Sequence, residues 1–132
     1  MAIIYSDKGN FLLLRTNPKW MKIDSWFVVT GSVNKNETEE EAVKREINEE
    51  TKLEILEIKP TDYVGKYEWP LGSGKIHSER AFLVKVKEAP VKLSGEHLEF
   101  KWLNKEDFLK QIDWNEEIES KDKLREILRE IR

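Results

Sequence analysis

The chain has 132 residues, enough for one domain with a real core and too few for a second, so residues 1–132 are expected to form a single domain. Charged residues make up 37% of it and the formal net charge is −3, so both signs mix on the surface, which disfavours duplex nucleic acid as a partner. It has no cysteine, no basic start followed by an apolar stretch and no apolar run near about 18 residues, which points to a cytoplasmic, soluble protein with neither disulfides nor a membrane span.

Residues 2–5 (AIIY) and 11–15 (FLLLR) are apolar runs around the turn-forming Asp7-Lys8-Gly9-Asn10, which predicts an antiparallel hairpin. Residues 17–25 contain Pro18 and mixed polarity and read as a loop. Trp26-Phe27-Val28-Val29 then reads as a buried strand running into Gly31. A helix is expected to begin at Glu37 or Thr38, with Thr38 and Glu41 spaced as a capping box and Val43 and Ile47 facing a sheet. Residues 54–68 and 75–87 read as two strands joined by Pro70-Leu71-Gly72-Ser73-Gly74. In the second, Ala81, Leu83 and Val86 are expected on one side and Phe82 and Val84 on the other. Leu98 to Leu103 alternates as a further strand, Asn104 caps a short helix, and residues 116–132 predict a closing amphipathic helix through Ile118, Leu124, Ile127, Leu128 and Ile131. Strands bracketing a central helix, with a helix to close, give an α+β or α/β sandwich with a mixed sheet.

The chemistry concentrates in residues 31–53, GSVNKNETEEEAVKREINEETKL. At roughly 100° per residue, Glu46, Glu49 and Glu50 stand at i, i+3 and i+4 and share one helix face, with Glu39 and Ala42 upstream. Like charges so close repel by a few tenths of a kcal/mol per pair on a helix. Such an arrangement suits a hard divalent cation, because Mg²⁺ takes carboxylate oxygens together with water and substrate phosphate oxygens.

The order glycine, five residues, glutamate, seven residues, then R-E-hydrophobic-x-E-E-x-x-hydrophobic resembles the signature of the Nudix hydrolase family. One position departs: Lys52 stands where the family usually has glycine, so it must adopt a left-handed turn at a cost of about 1 kcal/mol or leave the helix differently. The resemblance implies an α/β/α sandwich with a mixed sheet and a Mg²⁺-dependent attack of water on a phosphoanhydride, with Mn²⁺ as a substitute. It implies Glu46 and Glu50 as first metal ligands, Glu49 on the metal face, and Arg45 orienting a glutamate, with Glu49 its i+4 neighbour. Gly31 and Glu37 would shape the loop before the helix, whose N–H groups can receive phosphate oxygens. The general base belongs to the signature helix or to a later glutamate. Glu96, after Gly95, is the candidate for base or added metal ligand, beside Glu99 as alternative and a plain solvated turn acid as the bland reading. His77 and His97 read as structural or solvent-facing groups rather than ligands.

Outside the signature, Trp20, Trp26, Tyr67 and Trp69 are candidates to stack on a flat base, with Trp26 read chiefly as core. Arg15, Lys22 and Arg80 are candidates for phosphates. Thr30 before the signature glycine, the string Glu96 to Leu103 and the missing glycine at Lys52 resemble the branch that removes pyrophosphate from dihydroneopterin triphosphate and from deoxynucleoside triphosphates such as dATP. The implied partner is a small nucleotide or pterin polyphosphate, with the oligomeric state open. Dinucleoside polyphosphate hydrolysis is the near alternative. A Nudix domain that binds a nucleotide to regulate a partner, or an acidic helix that is only a solvated face, are readings from other classes.

Overall fold

The computed structural model describes residues 1–17, 24–68, 73–95, 97–114, 116, 118, 120–129 and 131. Period-two alternation in three strands builds it. β1 (Ala2–Ser6), β2 (Phe11–Thr16) and, from Ala81 on, β5 (Ile76–Val86) are buried on both faces, so their successive apolar residues divide between two cores. Ala2, Ile4, Leu12, Leu14, Phe82, Val84 and Val86 lie on one face with Val43 and Ile47 of helix α1 (Glu39–Thr51). Met1, Ile3, Phe11, Leu13, Ala81 and Leu83 lie on the other. There they meet Phe108 of α2 (Lys105–Gln111) and Leu124, Ile127 and Leu128 of α3 (Lys121–Leu128). The result is a sheet between helices on both sides, the expected α/β/α sandwich. Val86 shares the face of Phe82 and Val84, not that of Ala81 and Leu83, because the strand keeps its period of two to its last residue.

The sheet is mixed. β1 pairs antiparallel with β2 and parallel with β5, and β5 pairs antiparallel with the long β4 (Ile55–Glu68). β2 also carries the short β3 (Trp26–Phe27) and, along its whole length, β6 (His97–Leu103). The expected strand over 26–29 shrinks to two residues plus an isolated bridge from Val29 to Ala2. β4 bulges where Pro60, which has no N–H to give the ladder, interrupts it: Pro60 faces Phe82, and pairing resumes with Val64 opposite Arg80.

α1 begins where its capping box dictates. The Thr38 hydroxyl accepts from the Glu41 N–H at 3.1 Å, and Glu41 Oε1 accepts from the Thr38 N–H at 3.1 Å. It ends at Lys52, whose φ of 59° and ψ of 19° place it in the left-handed region, with its N–H directed at the Ile47 and Asn48 carbonyls. Lysine therefore performs the turn that glycine serves elsewhere. The last helix is shorter than its pattern suggests: it starts at Lys121, because the Ser120 hydroxyl accepts from the Asp122 N–H and caps it there. Since Lys52 is exposed and strained, Lys52→Gly is expected to stabilise the fold by about 0.5–1 kcal/mol, read from the midpoint of urea unfolding. An unchanged or lower midpoint would show that the turn is not strained.

Candidate active site

The loop between Val29 and α1 is tied to the helix by one side chain. Arg45, in the second turn of α1, donates from Nε to Glu37 Oε2 at 2.9 Å and from Nη2 to Glu37 Oε1 at 3.1 Å, a two-pronged pair. Nη2 also reaches the Ser32 carbonyl at 2.9 Å, and Nη1 reaches Glu46 Oε1 at 2.7 Å. Glu49, the expected i+4 partner, is the most distant, at 3.5 Å. Glu37 in turn accepts from the Asn34 N–H at 2.9 Å. The Arg45 hydrogen bonds, followed by that of Asn34, hold the Glu37 carboxyl below its usual value, and the Glu37 and Glu46 bonds raise Arg45 further above its own. Because the Glu37 value is depressed in the folded state, its stabilising effect is complete above the ordinary glutamate range and fades as pH falls through the lowered one.

The three signature carboxylates differ sharply in environment. Glu50 is 5% exposed, whereas the side chain of Glu46 is 16% exposed and that of Glu49 is 55% exposed. Glu46 is seated against Gly31: a Cβ built on that glycine would stand 2.4 Å from the Glu46 carboxyl carbon. Gly31 is thus required by close approach of a side chain rather than by backbone conformation. Both residues line a cavity of about 370 Å³ walled by the 29–33 loop, the start of α1 and the β4–β5 hairpin. Among the described residues no three Asp, Glu or His side chains converge as a ready-made cage for a metal. The donor type nevertheless suits Mg²⁺: Glu46, Glu49 and Glu50 offer hard carboxylate oxygens on one helix face, and of the three Glu46 lines the cavity, which has room for the phosphates and water that complete the shell.

The other expected residues scatter. Arg80 lines the cavity. Arg15 does not: it lies on β2 and is engaged by Asp24 at 2.8 and 2.9 Å and by Glu99 at 3.0 Å. Trp26 packs beside the core under Lys101, whose Nζ is 4.2 Å from the ring centroid. Trp20, Lys22, Trp69 and Glu96 lie outside the described residues.

Glu79 is a cavity residue that sequence reasoning missed. Its Oε1 accepts from the Met1 ammonium at 2.6 Å and from the Gly31 N–H at 3.4 Å, and its Oε2 accepts from the Tyr67 hydroxyl. Burial first, then this bond to Glu79, pushes the Tyr67 phenol well above its usual value. Tyr67 also stacks on His77, ring centroids 5.6 Å apart, so both rings form one wall of the cavity. In the sequence Glu79 is one more charge in the polar stretch before Ala81. Only the pairing of β5 with β1 brings it to Gly31.

The NUDIX domain family model matches residues 1–124. The chain belongs to the Nudix family. Among solved structures, this Nudix hydrolase is similar to the E. coli dihydroneopterin triphosphate pyrophosphohydrolase, with a TM-score of 0.69 and 21% identity over 93% of this chain and 90% of that one, a likeness of fold alone. It is similar to a C. elegans Ap4A hydrolase binary complex at a TM-score of 0.69 and 28% identity, covering 98% and 97%. It also resembles the MutT protein from Methanosarcina mazei Go1, at 0.65 and 28%, covering 98% and 90%. No curated protein matches the chain. Among the described residues no helix is long and apolar enough to cross a membrane.

Gly31→Ala tests the seat of Glu46. The glutamate end is flexible and can swing aside, so stability is expected to change by less than about 1 kcal/mol while hydrolytic turnover falls at least about tenfold. Full turnover in this variant would show that the position of Glu46 beside Gly31 is immaterial.

Proposed function

We propose that the protein is a Mg²⁺-dependent pyrophosphohydrolase that cleaves a phosphoanhydride of a nucleoside-triphosphate-like substrate to a monophosphate and pyrophosphate. Dihydroneopterin triphosphate and deoxynucleoside triphosphates such as dATP are the leading substrates. The observation that carries the reading is the placing of Glu46, on the face it shares with buried Glu50, beside a cavity that also presents Arg80. Phosphoanhydrides resist attack because their anionic oxygens repel a nucleophile, so a catalyst must neutralise them and hold water in line.

Glu46 and Glu50 would hold Mg²⁺, or Mn²⁺ in its place, with Glu49 as the exposed third oxygen donor. The bound ion would supply Lewis-acid charge at the phosphate oxygens and an acidified water. Arg45 keeps Glu46 and the 31–37 loop in register and acts as a positioning residue. Arg80 meets phosphate, and the Tyr67–His77 wall offers a flat surface to a base. The general base would be a glutamate of the signature helix or Glu96, with Glu99 as the alternative. A single domain over 1–132 and a cytoplasmic setting complete the proposal.

The second reading, hydrolysis of a dinucleoside polyphosphate, draws support from the C. elegans Ap4A hydrolase, whose identity to this chain is 28% against 21% for the pterin enzyme. The deciding experiment is a panel of triphosphates and dinucleoside polyphosphates with Mg²⁺, products resolved by chromatography, run on the wild type and Glu50→Gln. Pyrophosphate and a monophosphate are expected from the wild type, and turnover lower by about two orders of magnitude or more in a Glu50→Gln protein that still unfolds cooperatively. Binding of a panel member without cleavage would end the enzymatic reading, and equal activity in the variant would remove Glu50 from the site.

A further inference from the structure

The bulge in β4 aims Arg80. Pro60 faces Phe82 and Val64 faces Arg80, so residues 61–63 stand opposite Ala81 alone. Released from the ladder, the Thr61 carbonyl accepts from Arg80 Nη1 at 2.8 Å, and the Thr61 hydroxyl donates to the Ala81 carbonyl at 2.7 Å. The guanidinium is thereby pinned at the cavity wall, on the same side of the sheet as Phe82 and thus towards α1. There its Nε meets Glu39 Oε1, in the first turn of the helix, at 3.4 Å, and both residues line the cavity.

This pair is poorly made for structure. The Arg80 side chain is 36% exposed and that of Glu39 is 54% exposed, so water screens them, and the contact is long and single-pronged. A phosphate engages a guanidinium far better, through two parallel N–H···O bonds with a formal charge on each side. Arg80 is also spared the usual entropic cost of ordering its long side chain, because Thr61 already holds it.

We infer that Glu39 is the resting partner of Arg80 and that a diphosphate group displaces it: the phosphate takes the Arg80 fork and Glu39 turns out to solvent. The inference rests on the reading that phosphates enter this cavity, and assigns to Glu39, an acid of the signature segment, a role opposite to that of a metal ligand. Glu39 opposes binding by occupying the cation that the substrate needs, and it retakes Arg80 when the product leaves.

Methylenediphosphonate, whose P–C–P linkage resists hydrolysis, tests this by calorimetric titration in Mg²⁺ buffer, with thermal melts to show that each variant is folded. Glu39→Gln is expected to bind it about two- to fivefold more tightly than the wild type, the scale of an exposed ion pair removed from competition. Arg80→Gln and Arg80→Lys are each expected to bind about tenfold more weakly, lysine because it lacks the fork. Adding Glu39→Gln to Arg80→Gln, which has no cation left to occupy, is expected to change nothing further. Absence of binding to the wild type, equal affinity in Glu39→Gln, or a Glu39→Gln effect that survives in the Arg80→Gln background overturns the inference; the last outcome would make Glu39 a general repeller of anions. Triphosphate hydrolysis by the wild type is scored separately: if it is absent while the binding pattern holds, the catalytic reading fails and the exchange stands.

Discussion

The guanidinium of Arg45 is the interaction on which the site depends. A helix face bearing several glutamates is self-repelling, and the loop that leads to it has no regular structure of its own between Gly31 and Thr38. Arg45 answers both problems. It bonds Glu37 with two nitrogens, the Ser32 carbonyl with one of them, and Glu46 with the third. The loop is thereby fastened to the helix, and Glu46 is drawn to the place left open by the missing side chain of Gly31. The chain of cause runs from a glycine and an arginine, fourteen residues apart, to the position of a carboxylate beside a cavity.

The sheet supplies the other half of the site. Parallel pairing of β1 with β5 fixes Glu79 and Arg80 next to the loop, and the parity of β5 sends these neighbours to different partners. Glu79 meets Gly31, Met1 and Tyr67, whereas Arg80 meets α1 and the Thr61 carbonyl. The acidic helix and Arg80 therefore share one cavity, joined by the exposed Arg80–Glu39 contact. The proposed phosphate chain with its metal would satisfy both walls at once.

Much of the fold was legible because its strands are short apolar runs with a strict period and its helices carry their own caps at Thr38 and Asn104. Where the reading slipped, a local competitor was at work. Ser120 caps the last helix later than the apolar pattern suggests, and Val86 follows strand parity rather than the grouping first drawn for it. Within the site, helix geometry alone relates Arg45, Glu46, Glu49 and Glu50, whereas the approach of Gly31 to Glu46 comes from the fold of the loop. The signature spacing misjudged the principal partner of Arg45, because a guanidinium can reach back across a turn to Glu37 as readily as forward to Glu49. Glu79, its bond to Tyr67 and the Arg80–Glu39 contact were not legible at all. They arise from pairings between segments far apart in the chain, and no local pattern encodes those.

Under the proposed function, the acidic face of α1 persists because a divalent ion and a polyphosphate complete it. Titration of Mg²⁺ into the protein by calorimetry, with and without pyrophosphate, tests it most directly. Saturable binding that tightens when pyrophosphate is present is expected, since each ligand supplies charge the other needs. Failure to observe saturable Mg²⁺ binding in either condition, from a protein shown to be folded, would contradict it.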